Sequence, residues 1–598
     1  MSLLSQAIAS HQNNNFKEAI NNYKKFLSIN PNDSNTHQLL GIAYYNLNQL
    51  ESAKLSFQDS LRLNKNQPDV MSNLANCQIQ LGNYVVAIKC LEDAISLGSG
   101  NIDLFNELGK TYCVLGDYKK AIGSLNRGLL IYPESTKLLN QKIIALKEDS
   151  QYLQAIQILE SMLEINPKSI NLRHNLGVIL RLSGQSERSI KEYNILIKKG
   201  VKLHQLMHNM GNALSDLSQF SEAVVYFRKA IQLNIAYVDS HINLNNILWE
   251  LGREKEFLSS FRNALIAEPK HEELNFAYIK MLLQVSRYEE AFKCLNQIDN
   301  SCRQFATYYQ LLGLTLVRLG RKKEALEFQK NCLTFHPVNE QHQIDYARNL
   351  IETGSTEQAI SILEKIIEHN SNSQMAIAYL SSCWRIIGNK KHLEINNYDE
   401  VIKEYNLNTI GGKDILNYCD ELKHYLKKFH IAKNHPLEQT LIGGSQTKGN
   451  LFNDKNELID QLINEINECI FRYCSDIKSN RLLDLDLKRT KKFLFTGSYS
   501  IMLSNMGYHV SHVHPMARLS LCFYVDVPDS IKGDNDNQGC LHIGAPNLDI
   551  TPSLPAERFI EPSVGKLVIM PSYIWHGTVP FESETNRLTI VCDVKPDY

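Results

Sequence analysis

A small residue returns every 34 positions along the first two-thirds of the chain. Ala19, Ala53, Ala87, Ala121, Ala155, Ala223, Ala291, Ala325 and Ala359 share one register, and Ser189 and Phe257 fill its two gaps. A fixed period of that length means one supersecondary unit repeated, which restricts the fold to a stacked array. Other columns keep the phase. Gly41, Gly109, Gly177, Gly211 and Gly313 share a column with Ala75 and Ala347, a large apolar column runs through Tyr23, Phe57, Leu91, Leu125, Leu159, Tyr193 and Phe227, and Pro31, Pro133, Pro167, Pro269 and Pro337 form a fourth.

Small residues mark where two helices touch. The proline column ends each second helix, because a proline ring cannot continue the helical ladder, and Gly82, Gly116, Gly184, Gly252, Gly320, Gly354 and Gly388 end each first helix. Each repeat is therefore a helical hairpin. Its length and its Leu40, Gly41, Tyr44, Ala53 and Pro31 columns resemble the tetratricopeptide repeat. The resemblance covers about residues 1–390, as eleven repeats and a capping helix from Gln374, and implies a right-handed all-α solenoid whose groove binds a protein or peptide partner. Asn73, Asn175, Asn209 and Asn243, with Gln141, share one phase, and Asn76, Asn212 and Asn246 follow three residues on. Facing a groove, such carboxamides can pair with a peptide backbone without reading its side chains.

Six of the 16 prolines precede residue 400 and ten follow it, so the last third breaks its elements more often. Residues 391–432 read as a helical linker, and 455–474 carry the apolar spacing of one amphipathic helix. From Lys492 the period changes. FLFTGSYSIML, RLSLCFYVDV, CLHIG, RFIEP, GKLVIM, HGTVPF and RLTIVCDV read as short strands with no room for crossover helices. That pattern predicts an antiparallel barrel or jelly roll over 433–598.

Among those strands lie His509, His512 and His514 in GYHVSHVHP, and His576 in PSYIWHG. Two histidines at i and i+2 with a third from a facing strand form one face of an octahedron. The three sites left open suit an iron centre that binds a bidentate cosubstrate and dioxygen. Arg587 follows His576 by eleven residues, with Thr589 two further on and so on the same side of a strand. A guanidinium fork and a hydroxyl together can hold the distal carboxylate of a dicarboxylate.

These residues resemble the double-stranded β-helix Fe(II)/2-oxoglutarate oxygenases, in which an H-x-D…H set is followed by R-x-S/T. More narrowly, GGSQTKGNLF, HVHP, PSYIWHG and NRLTI are similar to bacterial 2-oxoglutarate/Fe(II) oxygenases fused to tetratricopeptide repeats. The resemblance implies Fe(II) as cofactor, held by His512, His514 and His576. It also implies 2-oxoglutarate as cosubstrate on Arg587 and Thr589, with Tyr499 and Tyr524 at the pocket. The position of the usual carboxylate holds His514, which leaves a three-histidine site or a two-histidine site backed by His514. The implied activity is a dioxygenase that hydroxylates a protein or peptide held by the solenoid. A non-catalytic repeat scaffold with a degenerate jelly roll is the alternative, and a three-histidine zinc hydrolase would leave Arg587 without a role.

A formal net charge of -1 excludes nucleic-acid binding by bulk charge. The chain has no apolar run of about 18 residues, and its opening MSLLSQAIASHQNNNFKEA lacks the basic and apolar regions of a secretory signal. A cytoplasmic location without membrane attachment is the expectation. Thirteen dispersed cysteines without a C-x-x-C pair imply free thiols. Nucleotide-loop, dinucleotide, H-E-x-x-H and nucleophile-elbow motifs do not occur.

Overall fold

A computed structural model describes residues 2–98, 100–437, 439–477, 487, 490, 492–531, 533 and 536–597. The chain divides into two compact units, 1–183 and 184–598. This division falls inside the repeat array. The first unit holds hairpins from Leu3–Gln12 with Phe16–Ile29 through Thr136–Glu148 with Tyr152–Ile165, and then the helix Ile170–Leu182. The second begins with Ser186–Lys198 and continues through hairpins to Glu340–Glu352 with Thr356–His369, followed by the helix Gln374–Ile386.

The alanine column has no exposed surface at any of its nine positions, and Ser189 is equally buried. Close approach explains the glycine column. A Cβ at Gly41 would lie 2.5 Å from Phe57, at Gly109 2.7 Å from Leu125 and at Gly211 2.7 Å from Phe227. Each glycine thus receives the large apolar residue sixteen positions on, and burying such a side chain contributes about 1.5–3 kcal/mol. The turns also keep phase. Gly82, Gly116, Gly184 and Gly252 take positive φ, and Asn48, Ser150, Ser218 and Ser286 adopt the same left-handed conformation in the repeats that lack glycine.

The period fails locally at Phe257, which is too large for the alanine column. The helix there begins only at Ser259, and Leu258 sits at φ 62° with its N–H bonded to the Asn245 side chain. The segment expected to be a helical linker also differs. Short helices Lys391–Ile395 and Tyr398–Val401 lead into strand β1 (Lys403–Asn406), a hairpin of β2 (Thr409–Ile410) and β3 (Lys413–Asp414), and only then the helix Ile415–Lys427. The alternation of β1 is four residues long, too short to register against helical spacing.

The β-rich region contains β4 (Leu441–Gln446), β5 (Phe493–His509), β6 (Leu519–Asp526), β7 (Leu541–Ile543), β8 (Arg558–Ile560), β9 (Lys566–Pro571), β10 (His576–Thr578) and β11 (Arg587–Pro596). All seven runs read as strands are strands, joined by β1 and β4. They form a six-stranded antiparallel sheet in the order β1-β9-β6-β11-β5-β4 and a three-stranded sheet β10-β7-β8. Helix Glu457–Asp476 buries Ile459, Leu462, Ile466 and Ile470.

Repeat helices of the second unit hold this region in place. The Trp575 indole donates to Ala378 O and Ser382 Oγ on the capping helix, and Lys322 Nζ meets Asp549 at 2.6 Å. Residues 433–437 return to the end of helix Val238–Glu250. There Trp249 Nε1 donates to His435 O at 2.9 Å, and the Lys433 and Asn434 N–H groups both donate to Glu250 O.

Candidate metal and cosubstrate site

A cavity of about 210 Å³ opens between the two sheets. It is lined by His509, His512, His514 and His576, by Arg587, Thr589 and Asp593 of β11, and by Tyr499 of β5. Backbone pairing explains why the imidazoles converge. His512 N donates to His576 O at 2.9 Å and His576 N to His512 O at 3.1 Å, an antiparallel pair that puts both rings on one face. Their centroids lie 4.4 Å apart. His514, two residues on, shares that face and stacks on His576 at 5.1 Å. One ligand atom from each of the three lies within 4.8 Å of the others.

The outer nitrogens are all engaged. Val510 O accepts from His512 Nδ1 at 2.8 Å, Ile574 O from His576 Nδ1 at 2.9 Å, and Asp593 Oδ2 from His514 Nδ1 at 2.8 Å. Each acceptor fixes a proton on Nδ1 and leaves an Nε2 lone pair turned inward. His514 Nε2 and His576 Nε2 face each other at 3.2 Å, so two lone pairs meet where a divalent cation would relieve them. This donor set fits a metal ion. Burial first, then the neighbouring histidines, hold the pKa values of His512 and His576 well below the imidazole range, as neutral ligands require.

Arg587 is 2% exposed. Its Nη1 donates to Gly539 O and its Nη2 to Thr578 Oγ1 at 3.2 Å, while Nε has no partner. Among the described residues no carboxylate pairs with it. A buried cation without a counter-charge is costly, and a ligand carboxylate in the cavity would supply one. Thr589 lines the same cavity. Tyr524 does not. It is fully buried, and the Arg587 guanidinium lies over its ring at 5.5 Å, so its part is to support the arginine rather than to line the pocket.

Two further polar residues of these strands, Asp526 and His542, lie away from the three-histidine cluster. Asp526 forms an ion pair with Lys423 at 2.7 Å. His542 pairs with Gly577 across β7 and β10, behind the metal-facing side. His509 also lines the cavity, and burial and the Arg587 charge push its pKa down to about 3. Asp593 carried no local signal because its partner is 79 positions away in sequence. The asparagine columns divide between several surroundings. Asn243 donates to Asn212 at 2.8 Å, Asn246 lines a chamber beside Glu250, and Asn175 lines a separate groove of the first unit. Asn73 lies on helix Pro68–Gln80 and Asn209 on His204–Asp216.

Residues 497–593 match the family described as "Putative 2OG-Fe(II) oxygenase", a span that includes His512, His514, His576, Arg587, Thr589 and Asp593. Residues 205–241 and 246–372 match tetratricopeptide-repeat families, and 12–94 match the family described as anaphase-promoting complex, cyclosome, subunit 3. The chain therefore carries tetratricopeptide repeats, and C-terminal to them a segment, 497–593, that matches a 2OG-Fe(II) oxygenase domain. No match was found among curated proteins. Solved structures with similar repeats include MamA (23% identity, 28% of this chain and 91% of that one, TM-score 0.27). Others are Naa15/Naa10 bound to HypK-THB (14%, 65% and 66%, TM-score 0.31) and yeast Tom70 (14%, 66% and 98%, TM-score 0.29). Among the described residues no helix is long and apolar enough to cross a membrane.

Proposed function

We propose that the protein is an Fe(II)- and 2-oxoglutarate-dependent dioxygenase that hydroxylates a protein or peptide recruited by its repeats. The observation that carries this reading is one cavity holding three imidazole lone pairs together with an uncompensated buried guanidinium. His512, His514 and His576 would hold the iron through Nε2, and Arg587 with Thr589 would bind the distal carboxylate of 2-oxoglutarate. When bound, the metal supplies oxidative decarboxylation of 2-oxoglutarate by dioxygen coupled to substrate hydroxylation.

The chain's own groups orient and shield this chemistry. Asp593 holds the His514 proton on Nδ1, and Ser520 Oγ donates to its other oxygen at 2.9 Å, so the carboxylate cannot swing away. Asp593 also places negative charge behind the imidazole that stands where the family pattern has a carboxylate. The apolar walls of Leu521, Ile501, Met570 and Val591 limit water in the cavity. Arg587 favours a dicarboxylate cosubstrate over the simple metal-water chemistry of a zinc hydrolase. The test is succinate formation from 2-oxoglutarate by Fe(II)-loaded protein. Turnover that disappears in Arg587→Ala with metal content retained supports the reading, and turnover unchanged in that variant removes the cosubstrate assignment.

A further inference from the structure

A second chamber, of about 150 Å³, adjoins the metal cavity, and Gln439, Gln446 and Tyr499 line both. Its far wall comes from the repeats. Asn246 and Glu250 are four residues apart on helix Val238–Glu250 and so lie on one face. The returning segment 433–437, pinned to the end of that helix, closes the chamber with Pro436 and Leu437.

This chamber contains unmet hydrogen-bonding capacity. Glu250 is 1% exposed, and its Oε1 pairs with Lys448 Nζ. Its Oε2 is buried without a partner, and so is Asn246 Oδ1. Burial pushes the Glu250 carboxyl above the usual range, and Lys448 pulls it back. Buried acceptors are normally satisfied, so two in one chamber call for a ligand with two donors. Lys448 already balances the Glu250 charge. A cationic ligand would compete with that pair, whereas neutral N–H groups would complete it.

We infer that this chamber is the prime-substrate subsite and that it takes a peptide segment, whose main-chain N–H groups donate to Asn246 Oδ1 and Glu250 Oε2 while a neighbouring side chain extends past Tyr499 into the metal cavity. The inference rests on the oxygenase reading for the purpose of that cavity. Recognition through main-chain donors tolerates many sequences, so a degenerate peptide pool is a sufficient probe.

The experiment incubates the full-length protein, loaded anaerobically with Fe(II) and 2-oxoglutarate, with a degenerate decapeptide pool, and measures retained peptides by ultrafiltration and mass spectrometry. The wild type should retain peptides. Asn246→Ala and the isosteric Glu250→Gln should each weaken retention about tenfold, and a pool N-methylated along its main chain should pass through. Retention unchanged in both variants, equal retention of the N-methylated pool, or no retention by the wild type overturns the inference. The visible band of metal-bound 2-oxoglutarate is recorded on the same samples. Its absence with peptide retained counts against the oxygenase reading alone, and its presence without retention counts against the subsite alone.

Discussion

Asp593 accepts a hydrogen bond from His514 Nδ1 at 2.8 Å, from a strand that begins with Arg587. One strand therefore carries both the group that steadies the His514 imidazole and the guanidinium we propose as the cosubstrate's partner. A neutral third imidazole in place of a carboxylate would lower the negative charge of the site, and Asp593 returns that charge one bond further out.

Removing that support should loosen the metal. Asp593→Ala is expected to weaken Fe(II) affinity by about 10–100-fold, with Asp593→Asn closer to wild type because its amide oxygen can still accept the Nδ1 proton. Competition against a chelator of known affinity measures this. Equal affinity in wild type and Asp593→Ala would show that His514 needs no such partner.

Arg587→Lys tests geometry rather than charge. A lysine ammonium keeps one positive charge but loses the planar fork and its contacts to Gly539 O and Thr578 Oγ1. The 2-oxoglutarate Kd should rise at least about tenfold, since losing one of two charge-assisted hydrogen bonds costs about 1.5 kcal/mol or more. Fe(II) affinity should stay unchanged, and an unchanged 2-oxoglutarate Kd by calorimetry would place the carboxylate elsewhere.

Much of this arrangement was legible in the chain. The alanine column had to be small because helices meet there, and the histidine, arginine and threonine spacings are local to two strand segments. What escaped is long-range. Asp593 reads as an ordinary strand residue until β11 pairs with β6 and brings it to Ser520 and His514. Glu250 reads as a helix-surface charge until residues 433–437 fold back over it and Lys448 reaches it. Strand β1 could not be told from helix over four residues, and Phe257 gave notice of a misfit without showing that one helical turn would unwind.

Acid should destabilise the β-rich region through His430. Its ring nitrogens bond Ser445 Oγ at 2.8 Å and Ser500 Oγ at 2.9 Å, and burial lowers its pKa to about 4. Unfolded, it titrates near about 6.5. Between those values the unfolded chain binds the extra proton, so stability falls as pH drops from about 6.5 to 4 and levels off below. Denaturant unfolding of His430→Gln should show a flatter pH dependence than wild type across that window, and parallel curves would contradict the assignment.

Turn positions in the repeats offer a stabilising change. Ser218 holds φ 60° where neighbouring repeats place glycine. Ser218→Gly should gain about 0.5–1 kcal/mol by removing a Cβ from the left-handed region, partly offset by the entropy of glycine. A lower denaturation midpoint in the variant would show that the serine side chain compensates its backbone.

The central claim is that three imidazoles and Arg587 build one centre for iron and 2-oxoglutarate. Anaerobic titration of Fe(II)-loaded protein with 2-oxoglutarate measures this most directly, through the weak visible charge-transfer band of bidentate coordination. The expected result is a saturable band in the wild type that is lost at the same concentrations in Arg587→Ala. A folded, iron-loaded wild type that shows no band, or a variant that shows an undiminished one, would contradict it.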